Sequence, residues 1–148
     1  MSNHNRTTGT TTAMRRTVPQ LLALAVGAAF TLTGLAGFLV TGFDGWIAYQ
    51  PDQTLLGFGV NPSHNVVHLL LGVAGLLLAR SDSSARGYGW LLVVGYGAAL
   101  VYGLVVAGQE AGNLLNVNVA DNLLHAVAVA GGLATALWPR RGEDNLRR

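Results

Sequence analysis

Four ionisable side chains interrupt stretches of this chain that are otherwise apolar. His64 and His68 lie in Asn61-Pro62-Ser63-His64-Asn65-Val66-Val67-His68, and Asp121 and His125 lie in Asn118-Val119-Ala120-Asp121-Asn122-Leu123-Leu124-His125. Both segments read Asn-x-x-[His/Asp]-Asn-x-x-His, and each runs straight into an apolar stretch. Ionisable groups inside a membrane-spanning segment are costly and mark a functional question by default.

Residue type and spacing admit four kinds of chemistry. The first is structural: neutral imidazoles and the carboxamides of Asn61, Asn65, Asn118 and Asn122 hydrogen-bond between helices and hold them in register. Each such contact is worth about 0.6–2 kcal/mol, whereas an unpaired polar group in lipid costs several. The second is a divalent metal site. His-x-x-x-His sets two imidazoles on one helical face, and Asp121 with His125 would complete three or four nitrogen and oxygen ligands for zinc, iron or a similar ion. The third is bis-imidazole haem ligation by His68 and His125, which ranks behind metal because no basic residue lies nearby to meet propionates. The fourth is proton or ion handling, for which three imidazoles and a carboxylate are suitable groups. Helix capping accounts for Asn61, Asn118 and Asp121. It does not account for His68 and His125, a turn further along.

The elements that position these groups follow from the pattern of charge. The chain has 148 residues, 51% hydrophobic and only 11% charged, with 20 glycines and no cysteine. A soluble domain carries about 25% charged residues, so the composition predicts one all-α integral membrane domain. The absence of cysteine excludes disulfides, thiolate metal sites and cysteine nucleophiles. Charge-free or nearly charge-free runs predict four transmembrane helices at about 18–40, 62–79, 87–107 and 119–138. The first of these runs is long enough to cross a hydrocarbon core of about 30 Å at about 1.5 Å per residue. The first run follows Arg15-Arg16 as a signal peptide would, but it is too long for an ordinary signal core and lacks an Ala-x-Ala end, so it is expected to remain as a helix. Residues 1–17 read as a disordered tail in which His4 is incidental. Residues 139–148 read as a basic tail after Pro139, and residues 80–86 as a short polar loop.

All 9 basic residues fall in the two tails or the 80–86 loop. The other two loops have none, and the first carries Phe43, Trp46, Tyr49 and Phe58, aromatic residues suited to the headgroup level. The positive-inside rule then places both termini and the middle loop in the cytoplasm of a bacterial inner membrane. Small residues at four-residue spacing (Thr33 and Gly37; Gly95, Ala99 and Gly103; Ala126, Ala130 and Ala134) predict helix-packing faces.

Sliding Asn61 onto Asn118 also lays Val60 on Val117, Asn65 on Asn122, His68 on His125, Gly75 on Gly132 and Ala79 on Ala136. The first and third runs match more loosely, at a different offset. This predicts two helical hairpins repeated in parallel about an axis along the membrane normal. At about 100° per residue, Asn61, His64, Asn65, His68, Gly72, Gly75 and Ala79 share one inward arc, with Val66, Leu70, Val73 and Leu77 opposite. The stripe of Asp121, His125, Val129, Gly132 and Ala136 is its counterpart.

At these motifs the chain resembles a family of small, uncharacterised bacterial four-helix membrane proteins classed as a domain of unknown function. The resemblance rests on the glycine-rich first helix, the entry Asn61-Pro62-x-His64-Asn65-x-x-His68 with Gly72 behind it, and the entry Ala120-Asp121-Asn122-x-x-His125. It spans about residues 18–138 and implies the four-helix topology without implying an activity. The leading functional expectation is a structural or accessory membrane protein fixed by the His/Asn/Asp cluster. The alternative is a metal-, haem- or ion-handling protein using His64, His68, Asp121 and His125. Expected partners are the lipid bilayer and a second copy or another membrane protein. No catalytic triad, phosphate loop or nucleic-acid surface is present in the sequence.

Overall fold

The computed structural model describes residues 15–140. Residues 1–14 and 141–148 lie outside it, and most of the expected tails with them. Four helices carry the fold: α1 (Val18–Thr41), α2 (Pro62–Leu78), α3 (Asp82–Val106) and α4 (Val119–Leu137). Three of these, α1, α3 and α4, are long and apolar enough to cross a membrane, and α2 is a shorter apolar helix of 17 residues. Large apolar side chains such as Leu39 (89% exposed) and Leu104 (70% exposed) face outward from the bundle. Water would make such a surface costly and acyl chains would not.

Each helix begins where the local chemistry supplies a cap. Pro19 sits in the first turn of α1, where the missing N–H costs nothing, and the Gln20 side chain accepts from Thr17 N at 2.9 Å. The Asn61 side chain accepts from His64 N, with Pro62 next, and opens α2. Asn118 and Asp121 form a reciprocal capping box on α4. The third helix departs from expectation. Ser81 caps it, accepting from Ser84 N at 3.1 Å, and Asp82 pairs with Arg86 at 2.7 Å one turn on. Residues read as a polar loop therefore form the first turn of α3, because a serine cap and an i,i+4 ion pair stabilise that turn.

The bundle is built from two close pairs, α1 against α2 and α3 against α4. Glycines set the approach. A Cβ at Gly27 would lie 2.7 Å from Leu76 N and 2.9 Å from Gly72 O, and one at Gly89 would lie 2.6 Å from Ala136 N and 2.7 Å from Gly132 O. No larger residue fits at either crossing. The core between the pairs is Ala23, Phe30, Ala79, Ala85, Tyr88, Leu92 and Tyr96. Two expected packing faces differ. Ala126, Ala130 and Ala134 are not buried, and Gly95 has open space around it. The small residues that α4 actually packs are Gly132 and Ala136, on a different face of the helix.

The loop between α1 and α2 holds a minimal ribbon, β1 (Thr54–Leu55) paired antiparallel with β2 (Phe58–Gly59). Leu56 (φ 55°) and Gly57 (φ 89°) make its two-residue turn. Glycine adopts that conformation freely, whereas leucine does so at a cost.

Candidate functional site

At one end of the bundle the two long loops are stitched together by buried carboxamides. Asn116, with φ 54° and only 2% exposed, is the centre of this stitching. Its side chain accepts from Gln50 N at 2.9 Å and donates to Gln50 O at 2.8 Å and Val60 O at 3.0 Å. Asn61 donates to Leu114 O at 2.9 Å, and Asn118 donates to Gly57 O at 3.0 Å, so each helix cap reaches the other pair's loop. Asn113 holds its own loop closed, accepting from Val117 N and donating to Val117 O. Neither Asn113 nor Asn116 stands out in sequence, because a loop asparagine is ordinary there. The concentration of Asn113, Asn116 and Asn118 was the available signal.

Asp121 belongs to this stitching. Its Oδ2 accepts from Asn118 N at 2.7 Å and from Gly59 N at 3.0 Å. His64 makes the reciprocal connection, its Nδ1 lying 3.1 Å from the Leu115 carbonyl oxygen. A carbonyl only accepts, so in this bond Nδ1 carries the proton and Nε2 keeps its lone pair. Asn65 and Asn122 pack down the two helix pairs instead. The Oδ1 of Asn65 lies against Gly37 and that of Asn122 against Gly103, so closely that a Cβ at either glycine would collide. Neither oxygen has a hydrogen-bond partner among the described residues, and each packs onto its glycine instead.

One turn deeper lies an aromatic cluster. His68 is T-shaped against His64 at 4.6 Å between ring centroids and stacks on Phe30 at 5.4 Å. His125 lies 6.3 Å from His64 and 5.3 Å from Tyr96, and Phe30 and Tyr96 stack on each other at 5.0 Å. All three imidazoles are almost fully buried, at 2–3% exposure. Both ring nitrogens of His68, the Nδ1 of His125 and the Tyr96 hydroxyl have no hydrogen-bond partner among the described residues. The expected His64, His68, Asp121 and His125 thus divide into two layers. Asp121 and His64 bind loop backbone, and His68 and His125 face the aromatic interior, His68 with neither ring nitrogen paired among the described residues. Among the described residues no group of three or more His, Cys, Asp or Glu side chains is disposed to hold a metal ion.

The family model described as a domain of unknown function, DUF4383, matches residues 20–138, from the first turn of α1 past the end of α4. The chain belongs to the DUF4383 family. No curated protein and no solved structure matches it. The DUF4383 match takes in all four helices, the loop stitching and the imidazole cluster, so these features lie within the family domain.

Proposed function

We propose that this DUF4383 chain is a small polytopic membrane protein of structural or accessory type. In this reading it consists of two parallel hairpin repeats, with both termini in the cytoplasm of a bacterial inner membrane. The observation that carries the reading is the reciprocal exchange at the loop end: Asn61 of the first hairpin bonds Leu114 O of the second, and Asn118 of the second bonds Gly57 O of the first. The displacement that takes Asn61 to Asn118 also takes Gly57 to Leu114, as a two-fold relation requires.

Three further levels support the repeat. Gln20 donates to Ala79 O at 3.1 Å, and Arg86 donates to Ala136 O at 3.0 Å, at matching positions of the two hairpins. Phe30 lies on His68 as Tyr96 lies on His125. Gly37 receives Asn65 as Gly103 receives Asn122. One common shift of α1 onto α3 aligns Gln20 with Arg86, Phe30 with Tyr96 and Gly37 with Gly103. Chance contacts would not keep one register over three levels.

The chain has no cysteine, so single cysteines report topology directly. With a membrane-impermeant maleimide on intact cells, cysteine at Leu56 labels and cysteine at Ser83 does not. The reverse pattern refutes the orientation. Stability tests the structural role: Asn61→Ala and Asn118→Ala should lower the unfolding temperature of the purified protein by similar amounts, and no change in either refutes it.

A second reading rests on the adjacency of the His64, His68 and His125 rings. A transferred proton would use these three imidazoles as they stand, and a divalent metal only after they turn toward one another, without Asp121, whose Oδ2 is committed to backbone N–H groups. Haem is disfavoured, since Phe30, His64 and Tyr96 fill the space between His68 and His125. Stoichiometric metal that is lost in His68→Ala and His125→Ala would establish this reading over the structural one.

A further inference from the structure

At the end of the bundle away from the long loops, α1 and α3 begin and α4 ends. An open cleft of about 290 Å³ lies among these three helix ends, with Val18 on one wall, Asp82 and Arg86 on a second, and Trp138 and Arg140 on the third. We propose that this cleft holds the head of an anionic phospholipid, with the lipid phosphate between the Arg86 and Arg140 guanidinium groups.

Charge sets the first condition. Among the described residues every basic side chain (Arg15, Arg16, Arg80, Arg86 and Arg140) lies at this end, and every acidic one except Asp82 lies at the other. Two guanidinium groups line the cleft against one carboxylate, which leaves one positive charge to balance. A lipid phosphodiester carries one negative charge, and its paired oxygens match the N–H fork of arginine.

Arg86 also has donors to spare. Gln20 and Arg86 perform the same contact, each donating one N–H to a carbonyl at the C-terminal end of a neighbouring helix, Ala79 O or Ala136 O. A neutral carboxamide suffices for the first, so that contact does not require the charge of Arg86. Its Nε goes to Asp82 and its Nη1 to Ala136 O. Its Nη2 has no partner among the described residues, nor is it one of the buried atoms left without one, so it lies open on the cleft. Arg140, beyond Pro139, is exposed.

The surroundings select a lipid over a dissolved anion. Trp138 stands at the rim, and Leu21, in the first turns of α1, and Leu137, beside Trp138, are exposed. Tryptophan with leucine next to it suits the boundary between headgroups and hydrocarbon, where basic pockets between helices take anionic lipid heads. The volume is about twice that of a cavity that accepts benzene, enough for phosphate and glycerol while the acyl chains lie on the apolar faces outside. The inference rests on the membrane reading of the chain, but on neither its orientation nor the loop stitching. The cysteine-labelling and Asn→Ala results therefore stand whether or not lipid binds.

The test is native mass spectrometry of the purified full chain in neutral detergent, titrated with dioctanoyl phosphatidylglycerol. The expected result is one saturable lipid per chain. Dioctanoyl phosphatidylcholine carries its own cation beside the same phosphate and should need at least about five-fold more. Arg86→Gln keeps a donor for Ala136 O, as Gln20 does for Ala79 O, and removes the charge. It and Arg140→Gln should each weaken binding about ten-fold, the loss expected for a hydrogen bond to a charged group. Arg140→Gln, exposed and outside the helices, carries the test where Arg86→Gln does not fold. Arg80→Gln removes the same charge at the same end but outside the cleft, and should stay within about two-fold. An equal loss in Arg80→Gln would reduce the effect to general attraction by a basic surface and overturn the site. Equal binding of the two lipids, or undiminished binding in the cleft variants, would overturn it as well. Displacement of the lipid by an equal concentration of inorganic phosphate would assign the cleft to a free anion and overturn the lipid.

Discussion

Asn116 offers the sharpest quantitative test of the loop stitching. It makes three well-formed bonds, one accepted from Gln50 N and two donated to Gln50 O and Val60 O, and it holds a left-handed backbone conformation. Asn116→Ala removes those three bonds, at about 1 kcal/mol each for sites that are only partly enclosed, and leaves the Gln50 carbonyl with the Gln53 N–H alone. It also places an ordinary Cβ at φ 54°, for about 1 kcal/mol more. The sum is about 4 kcal/mol, or about 12 °C in unfolding temperature at roughly 3 °C per kcal/mol for a chain of this size. Asn116→Gly removes the bonds and keeps the backbone freedom, so it should lose only about 9 °C. Thermal unfolding of the purified protein in one detergent, followed by far-ultraviolet circular dichroism, reads both. If Asn116→Ala falls within about 3 °C of the parent, the three bonds do not hold the loop end together. If glycine is the worse substitution, the left-handed backbone carries no strain for alanine.

Other expectations follow from the same contacts. Gly37→Ala and Gly103→Ala should each destabilise by about 1–3 kcal/mol through collision with Asn65 and Asn122, as measured by unfolding in detergent. Gly95→Ala meets open space in the middle of α3 and should stabilise by about 0.5–1 kcal/mol in the same assay. Asp121→Ala frees the amides of Gly59 and Asn118 and removes half the capping box. It should cost about 2–4 kcal/mol and speed amide exchange at Gly59, while Asp121→Asn recovers part of the loss. Asp82→Asn breaks only a pair at the end of α3 that is 35% exposed on the aspartate side, and should cost under about 1 kcal/mol.

Much of the fold was legible in the sequence, for identifiable reasons. Long runs without charge can only be buried or lipid-facing helices, so α1, α2 and α4 begin and end close to where the sequence places them. The inward stripe of α2 was legible because His64, Asn65, His68, Gly72 and Gly75 recur at helical spacing, and all are buried. The start of α3 was not, because Asp82, Ser84 and Arg86 resemble a hydrophilic loop until Ser81 is seen to cap them. The α4 stripe of Ala126, Ala130 and Ala134 was misleading. Small residues permit close packing without specifying it, and Gly132 takes that role. The candidate site was half legible. Its residues were evident, but their division into a loop-binding and an aromatic layer depends on where Gly59 and Leu115 arrive, and pairings that distant leave no local trace.

The crossed contacts between Asn61 and Leu114, and between Asn118 and Gly57, also constrain the order of assembly. When the ribosome has released only α1 and α2, the Gly57 carbonyl and the Asn61 carboxamide still lack the partners that the second half will bring. The first half is therefore left incomplete until the second has been inserted beside it. Maturation of the loop end is a late event, and the short Ala79–Ser81 connection is the joint at which two separately synthesised halves would still find each other.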